Sequence, residues 1–286
     1  MKKVSILSAV IVATGIGLFA LHFQSNAQEM SNIGTVDAGQ MTMTLQPESV
    51  VNIGMAGSGT FTIDWGDGTT SETHTLKVYN GNDEKSTKWM QNHPDIKYED
   101  EYLYSHDYSG TLSHVTITIA GENITFLGCA FLKLTSLDIS GNTMLKYLHC
   151  SNNQLTNLDV SKNIALTHLL CDSNPLKSIE VSKNTELTYL NCSANQLTSL
   201  DVNKNTALID LWCAMNELTF LDVRRNTALK SLFCFDNHLS TGALVFLFEA
   251  LNENGGYKKV EIGHNPGEAN YQNIATNKGW KVSTFF

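Results

Sequence analysis

Six cysteines stand at Cys129, Cys150, Cys171, Cys192, Cys213 and Cys234, each 21 residues after the last, and the chain has no others. An even cysteine count invites disulfides in an oxidising compartment. Metal ligands, by contrast, gather at spacings of two to five residues. A uniform interval of 21 fits neither. It fits a stacked repeat, in which each coil lies on the previous one and a given position recurs once per coil.

The other columns keep the same period. Leu127, Leu148, Leu169, Leu190, Leu211 and Leu232 precede the cysteines by two; Ile124, Leu145, Leu166, Leu187, Leu208 and Leu229 open the coils. Asn153, Asn174, Asn195, Asn216 and Asn237 follow three residues after each Cys. Each coil therefore begins L-x-x-L-x-C-x-x-N-x-L. Ten residues on, Leu155, Leu158, Val160 and Asn163 repeat the rhythm, giving a second asparagine column at 142, 163, 184, 205 and 226. Alternate residues of an extended segment share a face, so Leu148 and Cys150 point into the core together, where Cys acts as a small hydrophobe. Parallel coils roughly 4.8 Å apart bring the thiols within reach. They lie alongside one another, however, and a disulfide needs a specific dihedral. Six free, buried thiols are expected. The asparagines carry both donors and an acceptor to the corners, and losing one is expected to cost about 1–3 kcal/mol.

Over residues 124–239 this pattern resembles the leucine-rich repeat, with Cys where a third Leu usually stands. The 21-residue, cysteine-bearing form is similar to that of secreted bacterial leucine-rich-repeat proteins, the internalin-like surface adhesins. That resemblance implies a binding or adhesion role.

An open solenoid needs its ends covered. Leu244, Leu247, Phe248 and Leu251 recur at helical spacing. Ser240 or Thr241 can cap the start, and Gly255-Gly256 can end the helix. Val260, Ile262 and Asn265 are read as repeating Leu158, Val160 and Asn163. Residues 240–286 thus resemble the C-terminal cap of the same family.

Residues 28–122 read differently. "QMTMTL", "VVNIGM", "TFTIDWGDGT" and "VTITIAG" alternate in the two-residue rhythm of short strands between turns. "DWGDGT" at 64–69 and "SHDYSG" at 105–110 resemble the signatures of the PKD domain, an immunoglobulin-like β-sandwich. The stretch "NGNDEKSTKWMQNHPDIKYEDE" departs from that pattern and is expected to loop out. Asp64, Asp67, Glu99, Asp100 and Glu101 raise the question of calcium. An Asx-type turn of Asp67 with Gly68 accounts for the motif without a metal.

The chain opens with Lys2 and Lys3, an apolar run from Val4 to about Phe23, and small residues at Ser25 and Ala27. Residues 1–27 are expected to be a signal peptide cut after Ala27. No Cys precedes Cys129, so a lipid-anchored product is not expected. Without Lys2 and Lys3 the 286-residue chain has 17 basic against 28 acidic residues, a net of −11, which argues against nucleic acid or anionic membrane surfaces as partners.

No nucleophile elbow, zincin, P-loop or dinucleotide motif appears, and neither a catalytic residue, a metal nor a cofactor is assigned. The acid column Asp138, Asp159, Glu180, Asp201 and Asp222 is read with Lys162, Lys183, Lys204 and Arg225 as a solvated, mutually neutralising ladder. The informative positions are those that alternate with the core Leu and Cys and so face outward. They vary while the frame repeats, and they carry Tyr147, His149, His168, Tyr189, Trp212, Phe233 and Phe235. Varied aromatics on a fixed frame are typical of binding surfaces. Trp212 and Phe233 are expected about one coil apart.

The expectation is a mainly β chain: a PKD/Ig-like sandwich at 28–122, a leucine-rich-repeat solenoid at 123–239 and a helical C-terminal cap at 240–286. It is a monomeric, secreted, periplasmic or cell-surface protein that binds a protein or glycan ligand on a host or neighbouring cell. The alternative is a structural envelope component with no discrete ligand.

Overall fold

The computed structural model of the chain describes residues 39–47, 49–78, 102–110, 113–267 and 271–284. The expected signal peptide at 1–27 and the expected loop at 80–101 lie outside the described residues.

Two sheets organise the described chain. The first is antiparallel and runs, in spatial order, β4 (Glu72–Thr75), β3 (Thr60–Asp64), β6 (Val115–Ala120), β1 (Gln40–Leu45) and β8 (Ser136–Asp138). Its alternation is the one legible in the sequence: Met41, Met43 and Leu45 of β1 and Val115, Ile117 and Ile119 of β6 point inward and are buried. The second sheet starts at β5 (Leu103–Asp107), continues through β2 (Val50–Gly57) and β7 (Ile124–Gly128), and then through one three-residue strand per coil. These are β9 (Tyr147–His149), β10 (His168–Leu170), β11 (Tyr189–Asn191), β12 (Asp210–Trp212) and β13 (Ser231–Phe233). After helix α1 (Thr241–Ala250) come β14 (Lys258–Glu261), the short helix α2 (Gln272–Asn277) and β15 (Trp280–Ser283).

The boundary drawn between residues 122 and 123 is crossed by both sheets. β7 pairs antiparallel with β2, Met55 opposite Leu127, and parallel with β9, Leu127 opposite Leu148. The other half of the same coil supplies β8, which pairs with β1, Met43 opposite Leu137. Asn142, the first member of the second asparagine column, donates Nδ2 to the Gly39 carbonyl at 2.9 Å. A single apolar core runs from Met41 to Trp280. The β2–β7 register shifts between Ala56 and Gly57. A Cβ on Gly57 would lie 2.0 Å from the Asn123 carbonyl oxygen, so the two backbones close up there only because no side chain intervenes.

In the coils the strand leucines and all six cysteines are fully buried, and every thiol is free. Burial pushes the thiol pKa up, to about 12 at Cys129, Cys192 and Cys234, which leaves them protonated and poor nucleophiles. The two asparagine columns divide the corners. Asn195 accepts from Leu176 N at 3.1 Å and donates Nδ2 to the carbonyls of Cys171, Cys192 and Ser193. Asn205 donates to Val181 and Asn184 carbonyls, while its Oδ1 is buried without a partner.

The acid column is structural in a different way from the ladder expected. Asp138, Asp159, Glu180, Asp201 and Asp222 each accept from the backbone N–H two residues on, at 2.8–3.0 Å. Of the basic residues near them, Arg224 rather than the columnar Arg225 makes an ion pair, with Asp222 at 2.7 Å. The carboxylates close turns; charge neutralisation is secondary.

The C-terminal segment also departs from its sequence reading in two places. α1 ends at Ala250, before Gly255-Gly256, although Ser240 does cap it by accepting from Ala243 N at 3.2 Å. β14 then pairs with β13, Leu232 opposite Val260, and Asn265 accepts from Leu239 N. Val260, Ile262 and Asn265 therefore repeat Leu148, Cys150 and Asn153, the strand half of a coil, and not Leu158, Val160 and Asn163. The end of α1 is held by side chains from beyond it. Lys278 Nζ donates to the Glu249 and Leu251 carbonyls, and Lys258 Nζ and Trp280 Nε1 donate to the Asn252 carbonyl, which suits cations to the negative end of the helix dipole.

Around the N-terminal motifs, Trp65 is buried with His106 stacked on it at 5.0 Å, and the Tyr108 hydroxyl donates to the Trp65 carbonyl. Asp67 accepts from Thr69 N and Oγ1 and meets His106 Nε2 at 2.7 Å. The Thr69 hydroxyl, first among several donors, draws the Asp67 pKa down to about 2. The Asx turn thus closes on Thr69, one residue past Gly68. Asp64 is occupied likewise, accepting from Gly66 N. Glu99, Asp100 and Glu101 lie outside the described residues.

Candidate binding face

The outward side of β9 to β13 is where the repeat stops repeating. Parallel pairing puts Tyr147, His168, Tyr189, Asp210 and Ser231 in one row and His149, Leu170, Asn191, Trp212 and Phe233 in the next. The rings change rows between β11 and β12, so the aromatic line crosses the face diagonally. Tyr147 and His168 stack at 4.6 Å, His168 and Tyr189 at 6.0 Å, Tyr189 and Trp212 at 6.3 Å, and Trp212 and Phe233 at 4.2 Å. Lys259 continues the line, its Nζ 5.0 Å from the Phe233 ring centre, and pairs with Glu261.

The spacing expected for Trp212 and Phe233 is met, and both rings are partly exposed. Tyr147, His168 and Phe235 are partly exposed as well. Two of the expected outward residues are covered instead: His149 is 4% and Tyr189 4% exposed. Tyr189 lies between the His168 and Trp212 rings of the adjacent coils. Burial brings the pKa of His149 and His168 down to about 4, so both are neutral rings at ordinary pH and pack as such.

Polar groups that the aromatic pattern had passed over lie beside this line. Asp172 accepts from the Ser151 hydroxyl at 2.5 Å and from Asn191 Nδ2 at 3.0 Å, and Asn191 Oδ1 takes the Ser193 N–H. Burial raises the Asp172 and Asp210 carboxyl pKa values above the usual range. Both carboxylates also help raise the Tyr189 phenol, after its own burial. Their positions in the coil were available in the sequence; their desolvation depends on neighbours 19 to 21 residues away.

Neither a protein-family model nor a curated protein matches the sequence. Solved structures do. The functional domain of InlJ from Listeria monocytogenes, which includes a cysteine ladder, is 31% identical over 56% of this chain and 39% of that one, with a TM-score of 0.42. The internalin InlF of Listeria monocytogenes is 20% identical over 51% and 43% of the two chains, at 0.47. A leucine-rich-repeat protein of Leptospira interrogans is 21% identical over 56% and 48%, at 0.46. The chain spans less than half the length of each of these structures. The structural neighbours of this chain are bacterial leucine-rich-repeat proteins.

Proposed function

We propose that the chain is a secreted or cell-surface binding protein of adhesin type, whose strand face receives a protein partner or a glycan. One observation carries this reading: five rings on five consecutive coils form a connected, partly exposed line on a frame that is otherwise nearly invariant. A frame needs leucine, cysteine and asparagine at fixed places. It does not need Trp212 and Phe233, and partly exposed aromatics of this kind are where binding energy concentrates. No catalytic role is assigned to any residue. The charged start, apolar run and small residues of 1–27 support export. The Trp65, Asp67, His106 and Tyr108 cluster supports reading the N-terminal sheets as a PKD-like sandwich, and the apolar face of α1 supports reading 240–286 as a cap.

The test is an array of extracellular proteins and glycans probed with the parent chain, Trp212→Ala and Lys204→Ala. Trp212→Ala is expected to cut binding at least tenfold. Losing its stacking costs about 1 kcal/mol, a melting shift of roughly 2–4 °C. Lys204→Ala, outside the face, is expected to change neither. Binding by Trp212→Ala equal to the parent overturns the assignment of the face.

A further inference from the structure

Away from the strand face, the second halves of two successive coils form an open pocket of about 470 Å³, lined by Asn203, Lys204, Thr206, Asp222, Arg224 and Arg225. Every lining residue is polar. The cations sit where the repeat changes. Lys162, Lys183, Lys204 and Arg225 form one column, and the residues before them run Ser161, Ser182, Asn203 and Arg224. Of these four coils only the last sets a second cation beside the columnar one, in a chain whose net charge is −9.

Arg224 is held in place. Its Nε and Nη2 donate to the two oxygens of Asp222 at 2.7–3.1 Å, and its guanidinium lies 5.1 Å from the centre of the Phe246 ring on α1. These bonds leave Nη1 for another acceptor. Pinning α1 accounts for Arg224 and for neither of the other cations. Among the described residues Lys204 and Arg225 make no ion pair or hydrogen bond. Arg225 acts on Asp222 only through space, and Asp222 is already spent on Arg224. Asp201, the acid of the preceding coil, takes the Asn203 N–H at 2.9 Å, and no ion pair joins it to Lys204. Two cations one coil apart, about 4.8 Å at the backbone, therefore stand side by side, and like charges so placed are destabilising.

We propose that this pocket is a subsite for a phosphate monoester carried on a sugar. Charge complementarity selects the anion. Three cations against one carboxylate leave the lining at +2, and a phosphate monoester carries about −1.5 to −2 near neutral pH. Guanidinium forks suit phosphate oxygens. The Asn203 amide and the Thr206 hydroxyl have no side-chain partner among the described residues and suit the hydroxyls of a sugar ring. With no apolar side chain in the lining, a lipid tail has nothing to pack against. The pocket belongs to the other half of the coils from the aromatic line, so it goes beyond the proposed role of the strand face and does not depend on it.

The test is calorimetric titration of the intact chain with glucose 6-phosphate, glucose 6-sulfate and inorganic phosphate. Glucose 6-phosphate is expected to bind saturably and several-fold more tightly than either of the others, the sulfate having less charge and inorganic phosphate no sugar. Lowering the pH from about 7.5 to about 5 takes the ester through its second pKa of about 6 and is expected to weaken it about tenfold. Glucose 6-sulfate is expected to be unaffected, because Arg224 keeps the Asp222 carboxyl below its usual range and the pocket's own charges do not change. Arg225→Gln and Lys204→Ala are each expected to cut ester binding at least tenfold with an unchanged melting temperature. Trp212→Ala is expected to bind the ester as the parent does, and Lys204→Ala to keep the array partner of the strand face. No saturable binding, binding independent of pH, or full binding by both Arg225→Gln and Lys204→Ala overturns the proposal. Inorganic phosphate binding as tightly as glucose 6-phosphate would overturn the sugar, and equal binding of glucose 6-sulfate would overturn the phosphate.

Discussion

Replacing Asn195 with alanine is expected to destabilise the chain by about 3–5 kcal/mol, and replacing Asn205 by only about 1–2 kcal/mol. Both are buried asparagines at coil corners. Asn195 uses its whole amide: one acceptor for Leu176 N and donors shared among the Cys171, Cys192 and Ser193 carbonyls. Alanine leaves that N–H and those carbonyls without the side chain, inside a core that water does not reach. Asn205 donates to two carbonyls, but its Oδ1 is already buried and unpartnered. Its removal therefore relieves one desolvation penalty while creating others. Urea unfolding of the two variants beside the parent measures the difference. Equal losses would mean that the two columns do the same work and that the hydrogen-bond pattern does not set their cost.

Cutting the chain between residues 122 and 123 is expected to yield no independently folded halves. Residues 28–122 alone would lose β7 from the edge of β2 and β8 from the edge of β1; residues 123–286 would present the other sides of the same breaks. Met41, Met43 and Met55 on one side and Leu127 and Leu137 on the other are 8% exposed or less. Uncovering such a side chain costs about 1.5–3 kcal/mol each, and the freed strand edges invite aggregation. Expression of the two pieces, followed by a thermal melt of each, decides the matter. Cooperative melting of soluble 28–122 at the temperature of the intact chain would show a true domain boundary at 122.

The modular expectation came from the way repeats display themselves. A 21-residue period is visible because each coil meets nearly the same surroundings, so Leu148, Cys150 and Asn153 recur and their burial follows. The pairing of Met43 with Leu137 has no local signature; it joins residues 94 apart, and alternation says only that each strand has an inner face. Val260 to Asn265 were misplaced by half a coil for a related reason. Both halves of every coil share the rhythm L-x-x-L-x-apolar-x-x-N, and α1 stands where the intervening half would be. The pattern alone cannot separate the two.

The candidate face was legible as a set of positions and less so as a surface. Strand alternation was enough to put Trp212 beside Phe233. It could not show that His149 and Tyr189 are covered, because alternation separates inward from outward positions and says nothing of how closely neighbouring coils pack around them. Asp172 and Asp210 stand at outward positions of the same strands, but their desolvation, which raises both carboxyl pKa values, has no signature in the sequence. The acid column was misjudged in the opposite sense: its regularity did signal a structural part, but the part is a turn closed by backbone N–H groups, which charge counting does not reveal.

Hydroxyl-radical footprinting of the chain, free and bound to a partner taken from the array, tests most directly whether the frame carries shape and the strand face carries recognition. Trp212 and Phe233 are expected to oxidise in the free chain and to be protected several-fold in the complex. Phe220 and Tyr257, 49% and 71% exposed and off the aromatic line, are expected to oxidise equally in both. Protection of Phe220 or Tyr257 with Trp212 and Phe233 unchanged would place recognition elsewhere and contradict the account.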